Sequence, residues 1–393
     1  MSRPTRAEII IPALERNLEL ISRSASKGSL GPPIVIPVVK ANAYGHGAVE
    51  ISRHLVGSGI KWLAVACLEE ALELAESGAV PPEKASIIIL GPVFKDEIEE
   101  IARQGFVPVI SGPSDVEKIE ATCKSCGKGL RAVIYLDTGM GRTGVVAEDV
   151  NELCGRAKQI PGLEIVGIFS HFPVADSADE EDCNYTRAQI QDFQLLSRSI
   201  LTVFPSCRLV SIANSSGIFY HPESVMNAVR PGICMYGVRP ASDLEGPDGL
   251  HPVMRWTTEI AQVRKLPAGA SISYGRKTVL QRPSRLALLP VGYADGLSRR
   301  LPPGFTFSVK GKEAPLAGVV TMDLTVIDVT DIPDARPGSR VLLMGRESKG
   351  GAEDDQALAE VPAEVHARET GTIPYEILTS VGPRVKRVYL EED

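Results

Sequence analysis

The stretch Ile34-Val35-Ile36-Pro37-Val38-Val39-Lys40-Ala41-Asn42-Ala43-Tyr44-Gly45-His46-Gly47 opens as an apolar, β-rich run, delivers one lysine, and stops in small, turn-forming residues. Seven further runs of the same texture follow: Trp62–Ala66, Ser86–Leu90, Val107–Ile110, Arg131–Leu136, Ile165–Phe169, Arg208–Ala213 and Ala228–Tyr236. Amphipathic segments lie between them, such as Leu68 to Ala75 and Thr186 to Leu201. Short buried strands alternating with helical crossovers predict a parallel sheet, and a count of eight predicts a closed (β/α)8 barrel of the TIM type. A doubly wound open sheet is the alternative reading of the same alternation.

The texture changes after Pro240. Ala241 to Pro252 is rich in Gly, Pro and Asp and reads as a linker. Beyond it come β-type runs broken by turns: Thr257–Val263, Val279–Leu280, Leu286–Val291, Phe305–Val309, Ala317–Val320, Leu324–Val329 and Arg340–Met344. Helical periodicity returns only at Asp354 to Thr370. The expectation is therefore an α/β chain of two domains, a barrel over 1–240 and a mainly β domain over 241–393.

The 393 residues carry a formal net charge of −7, which offers no basic footprint for nucleic acid or an anionic membrane. No apolar run approaches the roughly 18 residues of a membrane span, and Glu15 and Arg16 break any export-signal core near the start. Seven scattered cysteines suit the reduced thiols of a cytosol, so a cytoplasmic location is expected. Cys123-Lys124-Ser125-Cys126 is a lone CxxC, short of the two further ligands zinc requires, and no metal is expected.

A barrel builds its site at the C-terminal ends of its strands, with phosphate bound after the seventh and eighth. The unusual residues fall at those ends. Lys40 ends a buried strand, where poor solvation lowers an amine's pKa and favours Schiff-base chemistry, and Tyr44 offers a hydroxyl to an anion. Arg142 lies in the glycine-rich Asp137–Gly144 and could grip a carboxylate with two parallel hydrogen bonds. His171 follows the sixth run and reads equally as a buried structural histidine or a site residue. Asn214-Ser215-Ser216 follows the seventh, where helix capping and phosphate binding use the same free N–H groups. Arg230, before Pro231-Gly232-Ile233 in an apolar run, requires a partner if buried. The second half contributes Tyr274 in a tight turn, Gly292–Gly296, Met322-Asp323 and Pro374-Tyr375-Glu376.

Order and spacing of these pieces resemble the alanine racemases, from about Arg3 to Tyr389. The resemblance implies pyridoxal 5'-phosphate bound through Lys40 and a homodimer whose active sites are shared between subunits. It implies interconversion of L- and D-alanine, supplying D-alanine for peptidoglycan. Lys40 and Tyr274 of the opposite subunit are implied as the two bases, with Tyr274 assisted by cationic neighbours such as His171 and Arg230. Arg230 would face the cofactor's ring nitrogen. The phosphate positions fall on Tyr44, Ser215, Gly232, Ile233 and Tyr375, and the substrate carboxylate on Arg142 and the Met322 N–H. Tyr293 and Arg299 match entrance residues. Three positions depart from the family pattern: Tyr135 stands where many members carry a modified lysine, and Val319 and Thr321 replace Arg and Cys. A broader-specificity racemase acting on serine or lysine is the nearest alternative. Basic-amino-acid decarboxylases share the architecture but carry a cysteine near the cofactor in the second domain. A single-barrel pyridoxal-phosphate carrier would lack the β domain.

Overall fold

A computed structural model describes residues 3–28, 31–126, 129–241, 244, 246–347 and 359–392. Six strands, Trp62–Val65, Ser86–Ile89, Val107–Ile110, Leu130–Tyr135, Leu163–Phe169 and Leu209–Ser211, form one parallel sheet in sequence order. The remaining two, Ile34–Val35 and Ala228–Val229, pair with each other in parallel. Backbone hydrogen bonds then close the ring on both sides. Val39 N–H donates to the Ala64 carbonyl at 2.9 Å, and Arg230 N–H to the Ala213 carbonyl at 2.9 Å. Leu63, Ala64 and Val65 are all fully buried, as expected of strands covered on both faces.

Glycine and proline cut the eighth run short. Only Ala228–Val229 is strand; after Pro231 and Gly232 the chain turns into the one-turn helix Ile233–Tyr236. The second half is mainly β. Its larger sheet places Lys312–Pro315, Thr306–Val309, Arg340–Arg346, Met254–Glu259, Arg6–Ile10 and Lys386–Leu390 side by side. A smaller antiparallel sheet joins Gln262–Leu266, Ser284–Leu289 and Thr325–Asp328. The run Thr257–Val263 is thus divided between two sheets, and Ala317–Val320 forms no strand. Of the helix expected over Asp354 to Thr370, the described part is Ala363–Thr370, because Glu360–Val361 pairs with the strand Arg340–Arg346 and Pro362 precedes the first turn. Residues 354–358 of that expected helix, and 242, 243 and 245 of the expected linker, lie outside the described residues.

Several strands have no counterpart in the sequence reading, among them Arg6–Ile10, Lys312–Pro315 and Lys386–Leu390. Arg6–Ile10 runs antiparallel to Met254–Glu259 and parallel to Lys386–Leu390, so residues 6–10 are built into the sheet of the second half. The apolar pattern of Arg6–Ile10 is interrupted by Glu8, which is 3 % exposed and receives Arg255 at 2.7 Å and Arg340 at 2.6 Å. Burial pushes the Glu8 carboxyl up, but the two guanidinium groups outweigh it and leave it below its ordinary value.

Candidate active site

Lys40 stands half-buried at the end of the first barrel strand. The next four residues, Ala41 to Tyr44, all have left-handed φ between 52 and 55. Each costs about 1–2 kcal/mol for a non-glycine residue, so this turn persists only because its surroundings hold it. The Asn42 side chain accepts the Ala48 N–H at 2.8 Å. His46 turns Nδ1 to the carbonyls of Ala43 and Tyr44, both at 3.0 Å, and stacks on Tyr236, whose hydroxyl donates to the Val38 carbonyl at 3.1 Å. Arg387, from the β domain, donates to the Gly45 carbonyl through Nε at 3.0 Å and Nη2 at 2.8 Å. The small residues of this segment thus serve a constrained backbone that aims Lys40 and Tyr44.

Electrostatics at the barrel mouth make the Lys40 amine easier to deprotonate than a free lysine. Burial lowers the Lys40 pKa, the charge of Arg142 lowers it further, and Glu70 opposes them. His171 is held down at about 3, by burial first and then by Arg230, Arg142 and Lys40. The ring is therefore neutral at pH 7, which corrects the expectation of a cationic His171: burial, reinforced by the neighbouring Arg230 and Arg142, disfavours a further charge there. Arg142 is exposed and makes no hydrogen bond or ion pair among the described residues, while Asp137 shapes its loop by accepting the Gly139 and Gly141 N–H groups.

Arg230 is buried and meets no carboxylate among the described residues. Its Nη1 donates to the Ser211 carbonyl at 2.5 Å and its Nη2 to the Ser170 carbonyl, the ends of two neighbouring strands. Its guanidinium carbon lies 4.7 Å from the centre of the Phe169 ring. Beside it, Asn214 caps the short helix Ser215–Tyr220, and Ser215 Oγ accepts the Gly232 N–H at 3.0 Å. Ile233 N–H opens a one-turn helix and has no carbonyl of that turn to serve. Tyr44 packs with ring centres 5.0 Å from Tyr236 and 6.0 Å from Tyr375, which the helix Pro374–Ser380 carries in from the β domain. Burial raises the pKa of both Tyr44 and Tyr375, so their hydroxyls remain protonated donors.

The structure therefore gathers Lys40, Tyr44, His171, Ser215, Arg230, Gly232, Ile233 and Tyr375 at one mouth, with Arg142 acting on it by charge. Tyr274 and Met322 are not gathered there. Tyr274 is 70 % exposed and its hydroxyl makes no hydrogen bond among the described residues. Met322 is 53 % and Tyr293 41 % exposed. Their loops are firmly set: Ala294 N–H donates to the Met322 carbonyl, and Asp295, wholly buried, is gripped by Arg3 at 2.6 Å and Arg384 at 3.2 Å. Arg299 donates to the Val320 carbonyl at 3.0 Å. Two residues of the Lys40 platform, His46 and Arg387, were not singled out as functional from sequence, because contacts to backbone carbonyls leave no side-chain motif.

A barrel with a poorly solvated lysine at its mouth, flanked by an unneutralised arginine and a cradle of hydroxyls, defines an amine-using enzyme for an anionic ligand. Two family models divide the chain: the alanine racemase N-terminal domain matches residues 9–240 and the C-terminal domain residues 253–389. The chain belongs to the alanine racemase family. It is 38 % identical to an alanine racemase of Thermodesulfovibrio yellowstonii, over 100 % of this chain and 99 % of the relative. The crystal structure of alanine racemase from D-cycloserine-producing Streptomyces lavendulae is similar with a TM-score of 0.88 and 31 % identity, covering 99 % of this chain and 98 % of that one. The Bartonella henselae enzyme, described with covalently bound pyridoxal phosphate, is similar with a TM-score of 0.82 and 32 % identity, covering 98 % and 99 %.

Proposed function

We propose that the protein is a pyridoxal-5'-phosphate-dependent alanine racemase, acting in the cytoplasm as a homodimer and supplying D-alanine for peptidoglycan. The observation that carries the reading is Lys40, a half-buried amine at the mouth of a barrel, where burial and the charge of Arg142 make it easier to deprotonate than a free lysine. Family membership supports it. The residues present fit the cofactor. Arg230 is a buried cation without a carboxylate, Tyr44 and Tyr375 are buried donors, and Gly232 leaves a space that a Cβ would fill at 2.5 Å from the Tyr44 hydroxyl.

When bound, the cofactor supplies an electron sink for the substrate's α-carbon. Lys40 holds it covalently, and Tyr44, Ser215, Tyr375 and the N–H groups of Gly232 and Ile233 hold its phosphate. Arg230, which does not readily release a proton, would be the residue offered to the cofactor's ring nitrogen and would keep it largely unprotonated, limiting side reactions. Arg142 binds the substrate carboxylate together with the Met322 N–H of a second copy of the chain. Racemisation takes a proton from one face of the α-carbon and returns one to the other. Lys40 serves one face and Tyr274 from the second copy the other; the exposure of Tyr274, Tyr293 and Met322 supports this sharing.

The test is to incubate purified protein with single enantiomers of alanine, serine and lysine and follow loss of optical rotation. Rapid loss with alanine alone is expected. Comparable kcat/KM for serine or lysine would move the assignment to a broader-specificity racemase, for which the departures at Tyr135, Val319 and Thr321 leave room. Borohydride reduction and peptide mapping should label Lys40; a label on another lysine refutes its role.

A further inference from the structure

Glu70 has no part in the roles described above, yet it touches the Lys40 segment directly. It lies in the first turn of the helix Leu68–Glu76, and its two carboxylate oxygens serve two different strand ends. Ala41 N–H donates to Oε1 at 2.6 Å, and Ala66 N–H donates to Oε2 at 2.7 Å. Ala41 follows Lys40 directly; Ala66 follows the strand Trp62–Val65 and is two residues beyond Ala64, which pairs with the chain at Val38. Hydrogen bonds from N–H groups to a carboxylate are stronger than those to a neutral acceptor. Ala41 is also the first of the four left-handed residues, at the start of a turn that offers its N–H no carbonyl of its own. Charge at a helix start does not explain the arrangement, since the neighbouring Glu69 supplies it from an exposed side chain.

We propose that Glu70 is a positioning residue: by bridging Ala41 and Ala66 it locks the left-handed turn and so fixes both Lys40, just before the turn, and Tyr44, which ends it. This rests on the reading of Lys40 and Tyr44 as cofactor-holding residues. Among the charges acting on Lys40, Glu70 also opposes Arg142 and so keeps the amine from being depressed further.

Three measurements on Glu70→Gln, Glu70→Asp and the control Glu69→Gln test it, all begun from cofactor-free protein. Hydrogen exchange reads the Ala41 and Ala66 amides, trace acetylation with acetic anhydride against pH reads Lys40, and titration with pyridoxal phosphate reads affinity. In Glu70→Gln one amide oxygen replaces two carboxylate oxygens, so exchange at Ala41 or Ala66 should rise and affinity fall, each by about ten- to a hundredfold, and the Lys40 labelling midpoint should move to lower pH because a negative charge is lost. Glu70→Asp keeps the charge but not the reach, so exchange and affinity should change while the midpoint stays near wild type. Unchanged exchange at both Ala41 and Ala66 in Glu70→Gln overturns the proposal. So does a uniform rise across the barrel that Glu69→Gln reproduces, since that marks general loss of stability. If the wild-type protein takes up no pyridoxal phosphate through Lys40, the functional reading fails instead, and the exchange and labelling data still decide whether Glu70 locks the turn.

Discussion

Gly232→Ala adds one methyl group against the Tyr44 hydroxyl. Gly232 has φ −117, outside the left-handed region, so the demand for glycine comes from close approach. A Cβ there would stand 2.5 Å from the Tyr44 hydroxyl oxygen and 3.2 Å from its Cζ. Ordinary contact begins near 3.4 Å, so the phenol must retreat by about 1 Å, with Tyr236 and Tyr375 packed against its ring. Overpacking of this kind costs about 1–3 kcal/mol. A hydroxyl displaced from a phosphate forfeits a charge-assisted hydrogen bond of about 1.5–3 kcal/mol, which weakens cofactor binding roughly ten- to a hundredfold. Titration of cofactor-free protein with pyridoxal phosphate measures the loss, and urea denaturation measures the strain. Tyr44→Phe should forfeit the hydrogen bond without the clash. In the double variant the added methyl should cost little more, because the atom it strikes is gone. Affinity within twofold of wild type in Gly232→Ala, or penalties that simply add in the double variant, would refute the reasoning.

Two predictions concern stability. Glu8→Ala removes the carboxylate between Arg255 and Arg340 inside the sheet that ties the first strand to the second half, and should cost about 3–5 kcal/mol by urea denaturation; a loss under about 1 kcal/mol would mean the pairing is incidental. Burial holds His46 and His366 at about 4 against an ordinary 6.5, so the unfolded chain takes up protons that the fold refuses. Stability present above pH 6.5 should therefore fall as pH drops toward 4, by roughly 3 kcal/mol for each ring. Urea midpoints at pH 7, 5.5 and 4 should lose part of this slope in His366→Gln, and an unaltered slope there would contradict the assignment.

The barrel was largely legible because its strands are buried on both faces and read as unbroken apolar runs; Val107–Ile110 has the same bounds in sequence and structure. Arg6–Ile10 was not legible, because the buried Glu8 breaks its alternation and two of the three arginines that pair with it come from residues 255 and 340. Tyr44, Ser215, Arg230 and Gly232 announced themselves by their places at strand ends. Glu70 did not: in Leu68-Glu69-Glu70-Ala71 it reads as the solvated face of an amphipathic helix, and only the closed barrel brings it to Ala41. The neutrality of His171 was equally hidden, since it follows from burial in the closed barrel and from arginines delivered by separate segments of the chain. Tyr274 drew notice through its motif, but one chain alone gives its hydroxyl no partner among the described residues.

That last point makes subunit mixing the most direct test of the central claim, that Lys40 of one chain works with Tyr274 of another. Lys40→Ala and Tyr274→Phe variants, each nearly inactive alone, are combined under conditions that exchange subunits, and the exchange is verified by mass. A mixed dimer places both defects in one site and none in the other. Random exchange makes half the dimers mixed, so about a quarter of all sites should be intact, and racemase activity should recover toward a quarter of the wild-type value. No recovery after verified exchange would mean that Tyr274 acts within its own chain or not at all, and the shared site would be wrong.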